Sequence, residues 1–169
     1  MADDQFTSNV RSIDACSPHD LNAFCALVNK AGEVANLSPD WVRQHGLKLV
    51  FVMKQNILAA VGALKKPDPG YHQACFQKAG VQDQWPLYPV EVGWLHCDKA
   101  YRGGMGYRVL DALFAEPEGR QPIYGTVRTD NLVALHVIGK RGFKPIGSPY
   151  RSKEHPEAEI QLLVRAGSG

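Results

Sequence analysis

Apolar residues keep two rhythms along this chain, and the changes of rhythm mark its elements. Leu21, Phe24, Cys25 and Val28 recur at helical spacing. Ser17 ahead of them suits an N-cap, Pro18 the first helical position and Asp20 the first turn, which predicts a helix from Pro18 to about Lys30. Ser38-Pro39-Asp40 repeats that signature with Gly46 as a stop, so a short second helix follows. The pattern then becomes continuous: Leu49 to Met53 and Ile57 to Leu64 are β-rich runs joined by Lys54, Gln55 and Asn56, which reads as a hairpin. Beyond these, the rhythm predicts a strand over 90–97, a helix over 104–115, a strand over 122–128 and a helix over 131–141. A short strand near 144–146 and a last one over 158–165 complete the set. Strands with helices between them make an α/β or α+β sheet. From Lys65 to Pro89 the periodicity fails, broken by Pro67, Pro69, Gly70, Gly80, Pro86 and Pro89. A long loop is expected there, either a flap on the substrate side or a surface insertion closed by Trp85 and Tyr88.

Val92 to Leu110 reads as a buried strand, a glycine-rich turn and the start of an amphipathic helix. A helix start exposes unpaired N–H groups and the positive end of its dipole, and glycines let phosphate approach the backbone. Arg102 adds a cation. Neither G-x-G-x-x-G nor G-x-x-x-x-G-K-[ST] is present, so dinucleotide and P-loop folds lack their fingerprints. A second segment, Tyr124 to Asn131, is followed by Ala134, Val137, Lys140, Gly142 and Phe143. Together the two segments resemble the GNAT superfamily of acyl-CoA-dependent N-acyltransferases. Its members carry a strand ending near V-x-P-x-Y-R-G-x-G-x-G-x-x-L-L, another strand, and an Asn-led helix that reaches a Gly-Phe pair. Arg102, Gly104, Gly106, Val109, Leu110 and Leu113 match the first pattern when the loop is read one residue shorter, which displaces Arg102 by one.

The resemblance implies a single GNAT domain over residues 1–169, with a central, mixed, mostly antiparallel twisted sheet of about six to seven strands and about four flanking helices. It implies acetyl-CoA as acyl donor and direct attack by a primary amine on the thioester. The donor would be held by the backbone of Leu95, His96 and Cys97, by the turn Arg102, Gly103, Gly104, Met105, Gly106 and Tyr107, and by Asn131. Asn131 reads first as a helix cap, a role that does not exclude the donor contact. An amine with a pKa near ~10.4 must lose a proton before it attacks, and Glu91 is the candidate base, at a position where GNAT enzymes often hold a glutamate. Alternation puts Glu91 on the face of Leu95 and Cys97, unless a bulge redirects the strand or Glu91 simply faces solvent. His96, on the Trp94 face, is the competing base. Family enzymes often protonate the departing thiolate with a tyrosine seven residues after the helix-leading Asn, and here that residue is Ile138. Tyr150, Tyr107 or Ser148 would then serve, or no acid at all. A catalytically weak acyl-CoA-binding or partner-binding module with the same fold is the alternative. Glu33, Asp68, Asp83, Glu154 and Glu157 are candidates for attracting a cationic small-molecule or peptide amine.

Composition narrows the field without naming a substrate. Hydrophobic content of 44% and charged content of 21% suit a globular chain, and no apolar run approaches the ~20 residues of a membrane span. The acidic N-terminus lacks a secretory pattern. Four cysteines without C-x-x-C spacing read as free thiols, which points to a cytoplasmic address and no bound metal. A formal charge of +2 argues against nucleic acid, RNA-directed acylation included. Lys65, Lys66, Arg102, Arg108, Lys140, Arg141 and Lys144 could meet donor phosphates or form a solvated face. GNAT domains often dimerise, so a homodimer is one expectation.

Overall fold

The computed structural model describes residues 5–34 and 36–168. Its elements run β1 (Phe6–Ser12), α1 (Pro18–Ala31), α2 (Pro39–His45), β2 (Gly46–Lys54), β3 (Ile57–Lys65), α3 (Pro69–Lys78) and β4 (Val90–Cys97). After them come α4 (Met105–Phe114), β5 (Ile123–Arg128), α5 (Leu132–Gly139), β6 (Lys144–Pro145), β7 (Tyr150–Arg151) and β8 (Glu159–Arg165). The strands hydrogen-bond in the order β1-β2-β3-β4-β5-β8-β6, with β7 on β8. β4 and β5 run parallel, whereas β1–β2, β2–β3, β5–β8, β6–β8 and β7–β8 are antiparallel. This is the expected mixed, mostly antiparallel sheet. Two features add to it: β7 is a two-residue pairing, and β1 has no apolar alternation in its sequence because it is a largely exposed edge strand held by backbone bonds to β2.

The chain forms two compact units, Met1–Lys65 with Val92–Glu118, and Lys66–Glu91 with Gly119–Gly169. The first holds the β2–β3 hairpin and α1, α2 and α4. Ser17 and Asp20 close a reciprocal capping box at the start of α1, and Ser38 caps α2. Phe24 of α1 meets Phe51 and Trp94 edge-on, at 5.9 and 6.1 Å between centroids. Gly62 of β3 leaves the space that Val109 of α4 occupies.

In the second unit, Cys75, Phe76 and Ala79 of α3 pack on Tyr124, Leu162 and Val164. The loop expected from Lys65 to Pro89 is therefore corrected: residues 69–78 are helical and Gln82–Leu87 form a 3-10 turn. Asp68 is the N-cap, accepting from the Tyr71 N–H at 3.1 Å. Pro69 sits at the first position, where a missing N–H costs nothing. A flap is not what forms; Trp85 and Tyr88 pack against the core of this unit, as the insertion reading required.

Candidate active site

β4 carries the first unit's candidate residues Leu95 to Cys97, and one residue sets its geometry. Trp94 has φ +52°, outside the region that bulky residues adopt, while its ring is buried with Lys65 Nζ 4.4 Å from the ring centroid. That kink breaks the alternation. Glu91 and Val92 are buried and Leu95 is 38% exposed, so the expectation that Glu91, Leu95 and Cys97 share one face does not hold. Leu95, His96 and Cys97 follow the kink, and the Cys97 thiol donates to the carbonyls of Asp98 and Tyr101 at 3.3 and 3.5 Å. Burial lowers the pKa of His96 against the opposing charge of Asp98, which keeps the ring neutral near pH 7.

The glycine turn leads into α4. Arg102, Gly103 and Gly104 are exposed, with φ +114° at Gly103 and +76° at Gly104, and a Cβ at either glycine would meet nothing within 4 Å. Gly104 is the N-cap and brings no side-chain cap bond. The first N–H groups of α4 thus begin beneath an open, glycine-only surface, a cradle suited to phosphate oxygens. Met105 is buried, so its backbone and not its side chain is available there, and Gly106 and Tyr107 are half-buried. Arg108 lies over the Phe6 ring at 5.5 Å.

The second unit holds a buried polar cluster. Glu91 is 4% exposed and accepts a hydrogen bond from the Tyr124 hydroxyl at 3.2 Å. Tyr124 is fully buried; His72 stacks flat on it at 4.6 Å and 4°, and Phe76 meets it edge-on at 5.3 Å. His72 is itself 4% exposed, and its Nε2 has no hydrogen-bond partner among the described residues. Burial lowers its pKa, against the charge of Glu91 and bonds to the Trp85 and Tyr88 backbone, so the imidazole is neutral. Burial pushes up the pKa values of both Tyr150 and Cys75, each of which also feels the other. Tyr71 reaches Thr126 Oγ1 with its hydroxyl at 3.4 Å. On α5, Asn131 accepts from the Ala134 N–H at 3.1 Å, which is the capping role, while Ile138 is buried and offers no proton.

Neither a protein-family model nor a curated protein matches the sequence at a significant level. The three-dimensional comparison is different. An acyl-CoA N-acyltransferase from Pseudomonas aeruginosa superposes with a TM-score of 0.67 at 17% identity, covering 95% of this chain and 99% of that one. A GNAT-family acetyltransferase from Streptococcus agalactiae gives 0.65 at 12% identity over 96% of each chain. The yncA protein of Salmonella typhimurium, a putative acetyltransferase solved with acetyl-CoA, gives 0.68 at 12% identity over 96% of this chain and 95% of its own. The chain has the GNAT fold.

Within the GNAT fold, the sequence-derived site residues fall in both units. Leu95 to Tyr107 belong to the first, and Glu91, Asn131 and Tyr150 to the second. Glu91 and Tyr150 share one electrostatic environment, since the Glu91 charge contributes to the raised Tyr150 pKa. Sequence reasoning missed His72, Tyr71 and the part played by Tyr124. A signal existed: Asp68-Pro69 is the same cap-then-proline signature that located α1 and α2. The surrounding prolines and glycines masked it. Among the described residues, no group of three or more His, Cys, Asp or Glu side chains could hold a metal, and no helix is long and apolar enough to cross a membrane.

Proposed function

We propose that this protein is an N-acetyltransferase that moves an acetyl group from acetyl-CoA to a primary amine. The observation that carries the reading is Glu91, a carboxylate buried to 4% exposure on β4, the strand that precedes the glycine turn in the chain. A buried glutamate is costly to keep without a task, and an amine acceptor supplies one: its proton must leave as nitrogen attacks the thioester carbonyl carbon. In this reading the N–H groups at the start of α4 bind the donor's phosphates, with Gly103 and Gly104 letting them approach. The β4 backbone from Leu95 to Cys97 pairs with the pantetheine amides like an added strand and offers an N–H to the thioester oxygen. Glu91 takes the amine proton, directly or through water. The carbon–sulfur bond breaks and the CoA thiolate leaves, with Tyr150 or solvent returning a proton to sulfur; a thiolate is a tolerable leaving group even before that proton arrives. Cys97 bonds only to backbone carbonyls in this loop, and no acyl-enzyme is invoked.

Thiol release from acetyl-CoA, followed over a panel of alkylamines, amino acids and N-terminal peptides, tests the reading. Glu91→Gln should lower kcat by about 10²–10⁴-fold while donor affinity stays within a few-fold. One observation favours a second reading: Ile138 stands where a proton-donating tyrosine is common. Acetyl-CoA binding without thiol release for any amine would make the protein a binding module.

A further inference from the structure

The register of β4 and β5 sets Glu91 directly against Tyr124. Partners in register on parallel strands project to the same side of the sheet, and here the Tyr124 hydroxyl donates to Glu91 Oε2 at 3.2 Å. The phenol sits at a fully buried position, where phenylalanine would fill nearly the same volume without a hydroxyl to satisfy. Its ring has little freedom: His72 lies parallel to it at 4.6 Å and 4°, and Phe76 closes the edge at 5.3 Å and 72°. Flat stacking provides no hydrogen bond between the rings, so His72 cannot draw the phenolic proton away from the carboxylate. It can only hold the ring's plane.

We propose that Tyr124 is the positioning residue of Glu91: clamped between His72 and Phe76, its hydroxyl pins Oε2, fixes the plane of the carboxylate and stabilises its charged form. The inference rests on Glu91 being the base. Among the described residues, the Glu91 charge acts on Tyr71, His72 and Cys75 from α3, on Tyr124 from β5 and on Tyr150 from β7. The three phenols and the thiol are neutral in their ordinary states near pH 7, and burial keeps His72 neutral as well. The Tyr124 hydroxyl is a directed donor to Glu91 Oε2, and a donor to a charged acceptor is the stronger kind.

Two readouts on Tyr124→Phe separate this inference from the reading beneath it. The first is the titration of the Glu91 carboxyl carbon by NMR in glutamate-labelled protein, assigned by its disappearance in Glu91→Gln; it needs no activity. The second is the acid limb of kcat/KM. Loss of the donor should move the Glu91 midpoint up by about one to two pH units, a tenfold to hundredfold change in its protonation constant. The acid limb should follow by the same amount, with the high-pH plateau kept within a few-fold. An unmoved midpoint overturns the proposal. A midpoint that rises while the acid limb stays put upholds the contact and overturns Glu91 as the base. Should Tyr124→Phe fail to fold, 3-fluorotyrosine placed at position 124 keeps the shape and makes a more acidic, stronger donor. The midpoint should then fall, and a constant or rising one overturns the proposal.

Discussion

At the residue scale, the cluster around Glu91 shows how burial sorts protonation states. Tyr124 and Tyr150 are held protonated and His72 neutral, each chiefly because burial disfavours the charged form. His72 and His96 both have folded pKa values below the ordinary imidazole value. The unfolded chain therefore binds more protons than the folded one as pH falls through ~6.5, so the stability tied to these groups is complete above that value and lost below it. The melting temperature should fall between pH 7 and pH 5, a window above the ordinary carboxylate range. His72→Phe should flatten that slope, as measured by thermal melts across the range; an unchanged slope would assign the loss elsewhere. Trp94 illustrates the limit of reading residues singly. Its positive φ is invisible in a strand-like sequence, and it decides which way Leu95, His96 and Cys97 project.

At the scale of elements, two glycines carry different loads. A Cβ on Gly62 would overlap Val109 Cγ1, so β3 and α4 approach as they do because residue 62 has no side chain. Gly62→Ala should destabilise by about 1–3 kcal/mol in denaturant melts, and adding Val109→Ala should recover part of that loss because the two changes share one space. Gly104 has open space around it but φ +76°. Gly104→Ala should cost only about 1–2 kcal/mol of stability, as left-handed backbone with a Cβ does. The same methyl group would stand over the start of α4, so acetyl-CoA affinity should fall tenfold or more by calorimetry. An acetyl-CoA affinity that stays within about threefold would remove phosphate binding from this turn. Capping explains which helices were legible. α1, α2 and α3 each begin with a capping side chain followed by proline, although the third was obscured by the breakers around it.

For the whole molecule, the GNAT fold emerges from similarity of shape at 12–17% identity to the three structures compared above. Acetyl-CoA at ~100 times its Kd should add ~2.7 kcal/mol to unfolding, a rise of about 5–10 °C in melting temperature for a chain of this size. Free CoA should act similarly and ATP should not. No shift at millimolar acetyl-CoA would count against the donor assignment. The units of the chain are each assembled from two separate stretches, and β4 contributes Val90 and Glu91 to one and the rest to the other. No composition shift marks such a division, because each stretch completes its core only when it meets the other.

The sequence by itself determined the elements whose signals are local. Capped helices, the β2–β3 hairpin, the glycine turn before α4 and the Asn131 cap all follow from residues within a turn or two of one another. Glu91 was legible as a candidate through its place in the motif. Tertiary structure decided the rest: the edge strand β1, which exists through backbone bonds to β2; the kink at Trp94; and the set of side chains around Glu91. Tyr124 lies 33 residues from Glu91 and donates to it only because β4 and β5 pair in one register. His72 reaches that tyrosine because α3 packs Cys75 and Phe76 into the same core. Contacts so distant along the chain depend on register and packing, and periodicity within a segment carries no record of either.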